Sequence, residues 1–275
     1  MKILISGTSG LIGSALCAYL SEKGHQIFKL KRDQEISLES FDAVIHLAGE
    51  SIAGRWNEKK KEEIRNSRIE STKKLGRALS QLKHPPKVFI CASAIGFYGD
   101  RGDELLTEES TRGKGFLSDV CVDWEAASLN EIRTANLRFG IVLSPNGGAL
   151  KQMLVPFKIG LGGPLGSGKQ YMSWVALEDV IRAIDFVLHH EELSGPINIT
   201  APAPVTNEEF TPALGKALHR PTFLKVPAFA IKWLLGEMGE ALLLSSTRAI
   251  PKKLLDAHFE FKYPSLQQFL NQIKQ

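Results

Sequence analysis

The sequence predicts an α/β fold built on a doubly wound parallel sheet, and three observations support this prediction. The apolar run Lys2–Ser6 predicts a first strand, and residues 14–24 predict an amphipathic helix soon after it. Short β-branched runs and longer helical patterns then alternate along the chain. The 275 residues are 43% hydrophobic and 23% charged, an ordinary globular composition with enough length for a large domain or somewhat more.

Three glycines, Gly7, Gly10 and Gly13, lie between the first strand and the first helix. In this context Gly7 allows a sharp turn off the strand, and Gly10 lets backbone N–H groups approach a pyrophosphate. Gly13 allows the helix to pack closely on the sheet. Because the unpaired N–H groups and the dipole of a helix N-terminus favour an anion, we predict that a dinucleotide cofactor binds here.

The end of the second strand, Gln26–Leu30, indicates which cofactor binds. Lys31 and Arg32 follow this strand. An acidic residue at this position suits the ribose hydroxyls of NAD, whereas a basic residue suits the 2′-phosphate of NADP. The pair therefore favours NADP(H) over NAD(H), although Asp33 follows directly. The alternative is that Lys31 and Arg32 are solvated surface cations.

The third strand, residues 43–47, ends in Ala48 and Gly49. Small residues at this strand end let the backbone pass close to the adenosine or ribose of the cofactor. A long helix is predicted over residues 57–82, and the strand 87–91 follows it.

Two hydroxyl groups, those of Ser93 and Tyr98, follow the strand 87–91. The carboxyl end of a parallel strand is where such sheets carry out their chemistry, so both side chains are candidates for the active site. The alternative is a loop whose hydroxyl groups only form local hydrogen bonds.

The rest of the chain continues the alternation and then becomes rich in glycine and proline. The predicted segments are a helix over 116–133, a strand over 135–143, a glycine-rich loop over 160–168, a helix over 177–189, a strand over 196–200 and proline-punctuated helices from 207 onward. The glycine-rich loop is a candidate for closing over a ligand, and the alternative is a plain flexible connection.

Composition excludes several classes of function. The net charge of +4 comes without a stripe of basic and aromatic residues, so we expect no nucleic-acid partner. We expect no signal peptide and no membrane span, and three sparse cysteines favour reduced thiols in a cytoplasmic protein. We also expect no metal site, because His46 lies inside a strand and the pair His189 and His190 lies at a helix end.

Motifs along the whole chain resemble those of the extended short-chain dehydrogenases/reductases, which include the NAD-dependent epimerases and dehydratases. The closest resemblance is to an atypical subgroup described only as "epimerase family protein". The motifs are Gly7 to Gly13, DAVIHLAGE (42–50), Arg55-Trp56-Asn57, SAIGFYGD (93–100), Trp124-Glu125, Leu137-Arg138, GLGGPLGSGKQ (160–170) and residues 248–251.

The resemblance implies a Rossmann domain over residues 1–150, with its sheet completed by about 175–200. It implies a smaller C-terminal α+β substrate domain over 151–275, and family members often form homodimers. The implied cofactor contacts come from Gly7, Ser9, Gly10, Leu11, Ile12, Lys31, Arg32, Leu47, Ala48, Glu63 and Arg68.

The chain departs from the family in its acid–base residues. The family's Tyr-x-x-x-Lys pattern occurs here only as Tyr19 to Lys23, in the helix behind the glycine loop. At the expected place, before Trp124-Glu125, the alignment puts Leu117 and Cys121. Neither side chain performs the proton transfer of a tyrosine whose pKa is lowered by a lysine.

A second departure concerns the diphosphate of a nucleotide-sugar substrate. Family members that bind one usually carry an arginine soon after the Gly-x-Gly-x-Gln stretch, whereas Tyr171, Met172 and Ser173 follow Gln170 here. The family's catalytic serine aligns with Ser93 or, with a one-residue gap, with Ala94.

Three hypotheses follow from these residues. The first is an NADP(H)-dependent oxidoreductase that acts on a small carbonyl substrate near Ser93 and Tyr98, with water or Tyr98 handling the proton. The second is a sensor or scaffold that binds NADP(H) without chemistry. The third is a nucleotide-sugar epimerase or dehydratase, which both departures disfavour.

Overall fold

Strands and helices alternate in the computed structural model as the sequence predicts, and the structure describes residues 1–31, 38–128 and 131–273. The strands in these ranges are β1 (Lys2–Ser6), β2 (Gln26–Leu30), β3 (Ala43–His46), β4 (Val88–Ala94), β5 (Leu105–Leu106), β6 (Arg133–Phe139), β7 (Ile141–Ser144), β8 (Tyr171–Met172), β9 (Trp174–Ala176), β10 (Gly195–Ile199), β11 (Val205–Thr206) and β12 (Arg248–Ala249). The α-helices in the same ranges are α1 (Leu11–Glu22), α2 (Glu58–Ser80), α3 (Phe116–Ser128), α4 (Gly148–Lys158), α5 (Leu177–His189), α6 (Asn207–Leu218), α7 (Ala228–Gly239), α8 (Lys252–Asp256) and α9 (Leu266–Ile273). No helix among these has both the length and the apolar character needed to cross a membrane.

Six of the strands form one parallel sheet in the order β10-β6-β4-β3-β1-β2. The chain moves from β1 to one neighbour, β2, and then returns to the other side of β1 as β3. The predicted doubly wound sheet is therefore confirmed. Its strand order reverses at β1 and β3, and the crevice at the carboxyl ends of these two strands is where such sheets bind ligands.

Helices cover both faces of the sheet, which explains the continuous apolar runs in the strands. Helices α1 and α5 pack together, and α2 and α3 pack together. Because the two crossovers leave β1 and β3 in opposite directions, right-handed connections place these two helix pairs on opposite faces. The sheet residues Ile3, Leu4 and Ile90 are fully buried between the two layers.

The strand predicted over 135–143 is divided in two at Gly140. Strand β6 stays in the central sheet, whereas β7 leaves it and pairs with β9. A Cβ at Gly140 would lie 2.4 Å from the carbonyl oxygen of Ser173, so only glycine allows the chains to approach this closely. The helix predicted over 116–133 ends earlier, at Ser128, and β6 begins at Arg133.

The C-terminal half contributes a second apolar core around the fully buried Trp174. Helices α4, α6 and α9 surround it. Two C-terminal residues, Leu254 and Phe259, pack instead into the core of the central sheet. The domain boundary at about residue 150 stays a prediction.

Candidate functional site

The glycine loop after β1 has the backbone geometry of a close-approach site. Gly7 has a φ of +74°, and a Cβ there would lie 2.5 Å from the carbonyl carbon of Leu47. A Cβ at Gly13 would lie 2.2 Å from the carbonyl oxygen of Gly7. These two positions therefore exclude every side chain, and they bring β1, β3 and α1 together.

Gly10 differs from the other two glycines because the space beside it is open. A Cβ at Gly10 would meet only the carbonyl oxygen of Gly7, at 3.4 Å. Gly10 is the N-cap of α1 and has no side chain that could cap the first N–H groups. It is exposed, as is Ser9 before it, while Leu11 and Ile12 are half-buried. The start of α1 is thus exposed at Ser9 and Gly10 and carries no side-chain cap, which is the geometry that an anion site at a helix N-terminus needs.

The turn between β7 and α4 covers the start of α1, which the sequence did not indicate. A Cβ at Gly147 would lie 3.0 Å from Leu11 Cδ1, and one at Gly148 would lie 2.9 Å from Leu11 Cδ2. Gly148 also has a φ of +64°. The glycine pair therefore lets this turn lie close against Leu11, next to the predicted phosphate site.

Arg68 of α2 lies against the end of the third strand. The half-buried Leu47 and Ala48 follow β3, and a Cβ at Gly49 would lie 3.4 Å from Arg68 Cζ. The guanidinium also stands 5.2 Å from the ring of Trp124. Burial lowers the pKa of Arg68 below its ordinary value.

The guanidinium of Arg68 is not paired with a carboxylate in the described part of the chain. Its one hydrogen bond there joins Nη1 to the carbonyl oxygen of Ile64 at 3.0 Å. A half-buried cation with spare donors beside the strand end is suited to an oxygen-rich ligand.

Three predicted cofactor residues remain, namely Lys31, Arg32 and Glu63. Lys31 is exposed directly after β2, and Arg32 lies outside the described residues. Glu63 is exposed, and its Oε2 stands 3.9 Å from Lys60 Nζ. Lys60 in turn binds Glu50 Oε1 at 2.8 Å, just after Gly49. These contacts connect Glu63 to the strand end through Lys60, and its contact with a cofactor stays a prediction.

Ser93 belongs to a buried polar chain at the end of β4. Its Oγ donates a hydrogen bond to Glu125 Oε1 at 2.7 Å. Glu125 also accepts from Arg138 Nε at 2.7 Å and from Arg138 Nη2 at 2.8 Å. Ser93 is 2% exposed, so its hydroxyl is occupied by this network.

Tyr98 is buried beside the same network, and its predicted role at the active site with Ser93 stays a prediction. Tyr98 is fully buried, and its hydroxyl donates to Asn198 Oδ1 at 2.7 Å and accepts from Arg138 Nη1 at 2.9 Å. Burial raises the pKa of Tyr98, and Arg138 offsets only part of this effect. A Cβ at Gly113 would lie 1.9 Å from the carbonyl oxygen of Tyr98. The loop that contains Gly113 therefore packs directly against the backbone of Tyr98.

Leu117 and Cys121, which align with the family's tyrosine and lysine, line an apolar corner beside Gly96. A Cβ at Gly96 would lie 3.2 Å from Leu117 Cβ and 3.8 Å from Cys121 Sγ. Burial raises the pKa of the Cys121 thiol to about 12. The ring of Phe116 stands edge-on to that of Trp56, with centroids 5.3 Å apart. This corner therefore favours apolar groups.

Tyr19 and Lys23 lie at the opposite edge of the sheet. Helix α1 starts at the carboxyl edge, has 12 residues and is about 18 Å long. At its far end Lys23 Nζ binds Asp185 Oδ2 at 2.7 Å, and Tyr19 OH lies 3.4 Å from the same oxygen. This pair thus packs α1 against α5, away from Ser93 and Arg68.

The glycine-rich loop at 160–168 is held against the C-terminal segment. A Cβ at Gly163 would lie 1.7 Å from the carbonyl oxygen of Leu224. Gly166 N donates to the carbonyl oxygen of Val226 at 2.8 Å. The glycines therefore have a packing role, and closure of this loop over a ligand stays a prediction.

Helix α7 reaches back to the N-terminal half at the mouth of the crevice. Glu237 Oε2 lies 2.5 Å from Lys61 Nζ of α2. Gly236 has a φ of +61°, and a Cβ there would lie 3.9 Å from Arg55 Nε. The sequence singled out Arg55-Trp56 as a motif but did not indicate this contact, because nothing local relates residues so distant in the chain.

Comparison with known proteins gives matches over nearly the whole chain. Residues 3–200 match the NAD dependent epimerase/dehydratase family, and residues 226–273 match a domain of unknown function, DUF1731. The chain is similar to epimerase family protein Mb2239 of Mycobacterium bovis, with 41% identity over 98% of this chain and 96% of that protein. It is also similar to epimerase family protein YfhF of Bacillus subtilis, with 36% identity over 99% of this chain and 98% of that protein.

Among solved structures, the chain is similar to the crystal structure of human epimerase family protein SDR39U1 (isoform 2) with NADPH. The two share 32% identity and superpose with a TM-score of 0.94, over 100% of this chain and 99% of that one.

Proposed function

Since the chain belongs to the NAD dependent epimerase/dehydratase family, we propose that it is an NADP(H)-dependent oxidoreductase that acts on a small, mostly apolar carbonyl compound. One observation supports the cofactor most strongly: Gly7 and Gly13 exclude any side chain, while Gly10 leaves open space at an uncapped helix start. These residues fit a dinucleotide diphosphate, and the 32% identical human relative was crystallised with NADPH.

The residues proposed to hold the cofactor divide by the part that they bind. Backbone N–H groups of Ser9, Leu11 and Ile12 bind the diphosphate beside Gly10, whose own N–H donates to the Gly7 carbonyl oxygen. Lys31 with Arg32 binds the 2′-phosphate. Leu47 and Ala48 lie along the adenosine or ribose, and Arg68 binds oxygens beside Gly49. When bound, the nicotinamide ring of such a cofactor gives or accepts a hydride.

The apolar corner beside Gly96 is suited to a carbonyl substrate that carries little charge. Leu117, Cys121 and Phe116 offer apolar contacts, and the charge of the half-buried Arg68 acts on the Cys121 thiol. A guanidinium fixed beside an apolar pocket stabilises negative charge that develops on a carbonyl oxygen. Because burial raises the pKa of Tyr98 and its hydroxyl is occupied, we propose that water handles the proton.

A second candidate function is a sensor that binds NADP(H) without turnover. One observation favours it: Ser93 and Tyr98 are buried in their own network, and Leu117 and Cys121 carry no proton donor with an accessible pKa. The cofactor residues are the same in both proposals, so only turnover separates them.

Consumption of NADPH with a panel of aldehydes, ketones and quinones tests the proposal. We expect turnover by the wild type, and at saturating NADPH we expect Arg68→Gln to lower kcat about a hundredfold. Arg68→Lys keeps the charge and retains more activity. Arg65→Gln, an exposed arginine on the same helix, serves as the matched control and keeps the wild-type rate. NADPH binding without consumption across the panel contradicts the oxidoreductase and supports the sensor.

A further inference from the structure

Three potential metal ligands meet at the amino edge of the sheet, on the side away from the glycine loop. His25 lies in the turn between α1 and β2, and Asp185 and His189 lie one turn apart on α5. Each offers one ligand atom, and the three atoms lie within 4.8 Å of one another. This cluster takes no part in the proposed cofactor or substrate site.

Only one of the two carboxylate oxygens of Asp185 accepts a hydrogen bond from the described residues. The residue is 7% exposed, and its Oδ2 accepts a hydrogen bond from Lys23 Nζ at 2.7 Å. Its Oδ1 is buried and has no hydrogen-bond partner among the described residues. A buried carboxylate oxygen without a partner costs free energy, which a bound cation at this oxygen would offset.

The two imidazoles are suited to donate lone pairs to that cation. His189 Nδ1 lies 2.8 Å from the backbone oxygen of Asp185 and 3.5 Å from Asp185 Oδ1. Nδ1 is therefore the ring nitrogen that faces this carboxylate oxygen, and with the proton on Nε2 it carries the lone pair that a cation binds. Burial, together with the neighbouring N-terminal amino group, lowers the pKa of His25.

We propose that His25, Asp185 and His189 bind a divalent transition-metal ion, with Zn²⁺ as the best match. Two imidazoles and one carboxylate are typical zinc ligands, whereas Ca²⁺ and Mg²⁺ prefer oxygen ligands. A tetrahedral zinc site places its ligand atoms about 3.4 Å apart. The side chain of His189 is 49% exposed and rotates to close the remaining gap. Water completes the coordination.

Such an ion acts as a structural link between two elements. It ties the α1–β2 turn to the last turn of α5, beside the ion pair of Lys23 with Asp185 Oδ2. Lys23 is the competing cation at this carboxylate, and its side chain is 48% exposed. Removing its charge therefore strengthens metal binding.

Calorimetric titration of the chelator-treated protein with ZnCl₂ tests the site. The tag is placed at the C-terminus and contains no histidine, because Met1 N lies 3.3 Å from His25 Nδ1. We expect saturable binding of one Zn²⁺ per chain. At a free Zn²⁺ concentration of about 100 times Kd, the melting temperature rises by at least about 5 °C.

Variants separate this site from adventitious binding. His25→Gln, His189→Gln and Asp185→Asn each raise Kd at least about tenfold. His190→Gln and His84→Gln serve as controls, because His190 stacks on Phe186 and His84 is exposed elsewhere. Lys23→Gln lowers the Kd for Zn²⁺. A misfolded variant would not bind Zn²⁺ more tightly, so this result separates the site from a loss of structure. The proposal is overturned by the absence of saturable binding, by a Kd that the three ligand variants leave unchanged, or by a Lys23→Gln variant that binds no tighter.

Discussion

Glu125 and Arg138 form a two-point ion pair in the interior, with Nε 2.7 Å from Oε1 and Nη2 2.8 Å from Oε2. The pair joins α3 to β6 beneath the end of β4. The side chains are 13% and 3% exposed, so neither charge is well solvated when its partner is removed. Ser93 and Tyr98 are both held by this pair.

Removal of one partner is therefore expected to be costly. We expect Arg138→Leu to lower the free energy of unfolding by about 3–5 kcal/mol, because it leaves the Glu125 carboxylate buried and unpaired. Urea denaturation measures this change. The control is Arg65→Leu, which breaks the exposed ion pair with Asp123 and costs less than about 1 kcal/mol. Equal losses from the two variants would contradict the account.

Gly10 and Gly13 are expected to respond differently to alanine. Gly10→Ala keeps stability within about 1 kcal/mol, since φ is −78° there and the space is open, but it raises the Kd for NADPH at least about tenfold. Gly13→Ala lowers the free energy of unfolding by about 1–3 kcal/mol, because its Cβ would lie 2.2 Å from the Gly7 oxygen. Thermal melts and NADPH titrations of both variants check this. Wild-type NADPH affinity in Gly10→Ala would place the diphosphate elsewhere.

The pH dependence of stability is expected to reflect His46. This ring is 3% exposed, and burial lowers its pKa from 6.5 to about 4. Between these values the unfolded chain binds a proton that the folded chain does not. The contribution of His46 to the free energy of unfolding is therefore complete above pH 6.5. It is lost as the pH falls towards 4, and the total loss is about 3 kcal/mol.

Denaturation curves between pH 7 and 4 measure this loss. His46→Gln is expected to flatten the slope, because the unfolded state then has no proton to gain at this position. His84→Gln, at an exposed histidine, is expected to keep it. An unchanged slope in His46→Gln would assign the pH dependence to other groups.

The thiols are expected to be inert in the folded protein. Cys17, Cys91 and Cys121 are all buried, and burial raises the pKa of both Cys91 and Cys121 to about 12. At pH 8 the thiolate fraction of these two is about a thousandfold below that of an exposed cysteine. Ellman's reagent measures the rate, and the urea-unfolded protein is the control. Rapid labelling of Cys121 in the folded protein would contradict this prediction, and it would identify Cys121 as a reactive group in the apolar corner beside Gly96.

The local features of the chain were predictable from sequence, whereas the tertiary contacts were not. The spacing of the glycines predicts the strand–turn–helix unit, because these residues are close in the chain, whereas the contact of Gly7 with the backbone of Leu47 depends on a separate strand. The ion pair of Glu125 with Arg138 depends on which strands are neighbours. The motifs containing both residues were recognised, but a motif does not state what its side chains contact.

Tyr98 shows why a motif position does not give an orientation. The hydroxyl was expected at the carboxyl end of a strand, where ligands bind. The turn that follows β4 is instead packed under the backbone of Gly113, which directs Tyr98 into the interior towards Asn198. Likewise, His189 was expected at an exposed helix end, and only the packing of α5 against α1 brings it near His25.

The central claim is that the glycine loop and Lys31 bind NADP(H). The most direct test is a fluorescence titration of the purified protein with NADPH and, separately, with NADH. We expect NADPH to bind at least about tenfold more tightly than NADH, and Lys31→Ala to reduce this difference. Tighter binding of NADH, or no binding of either nucleotide, would contradict it.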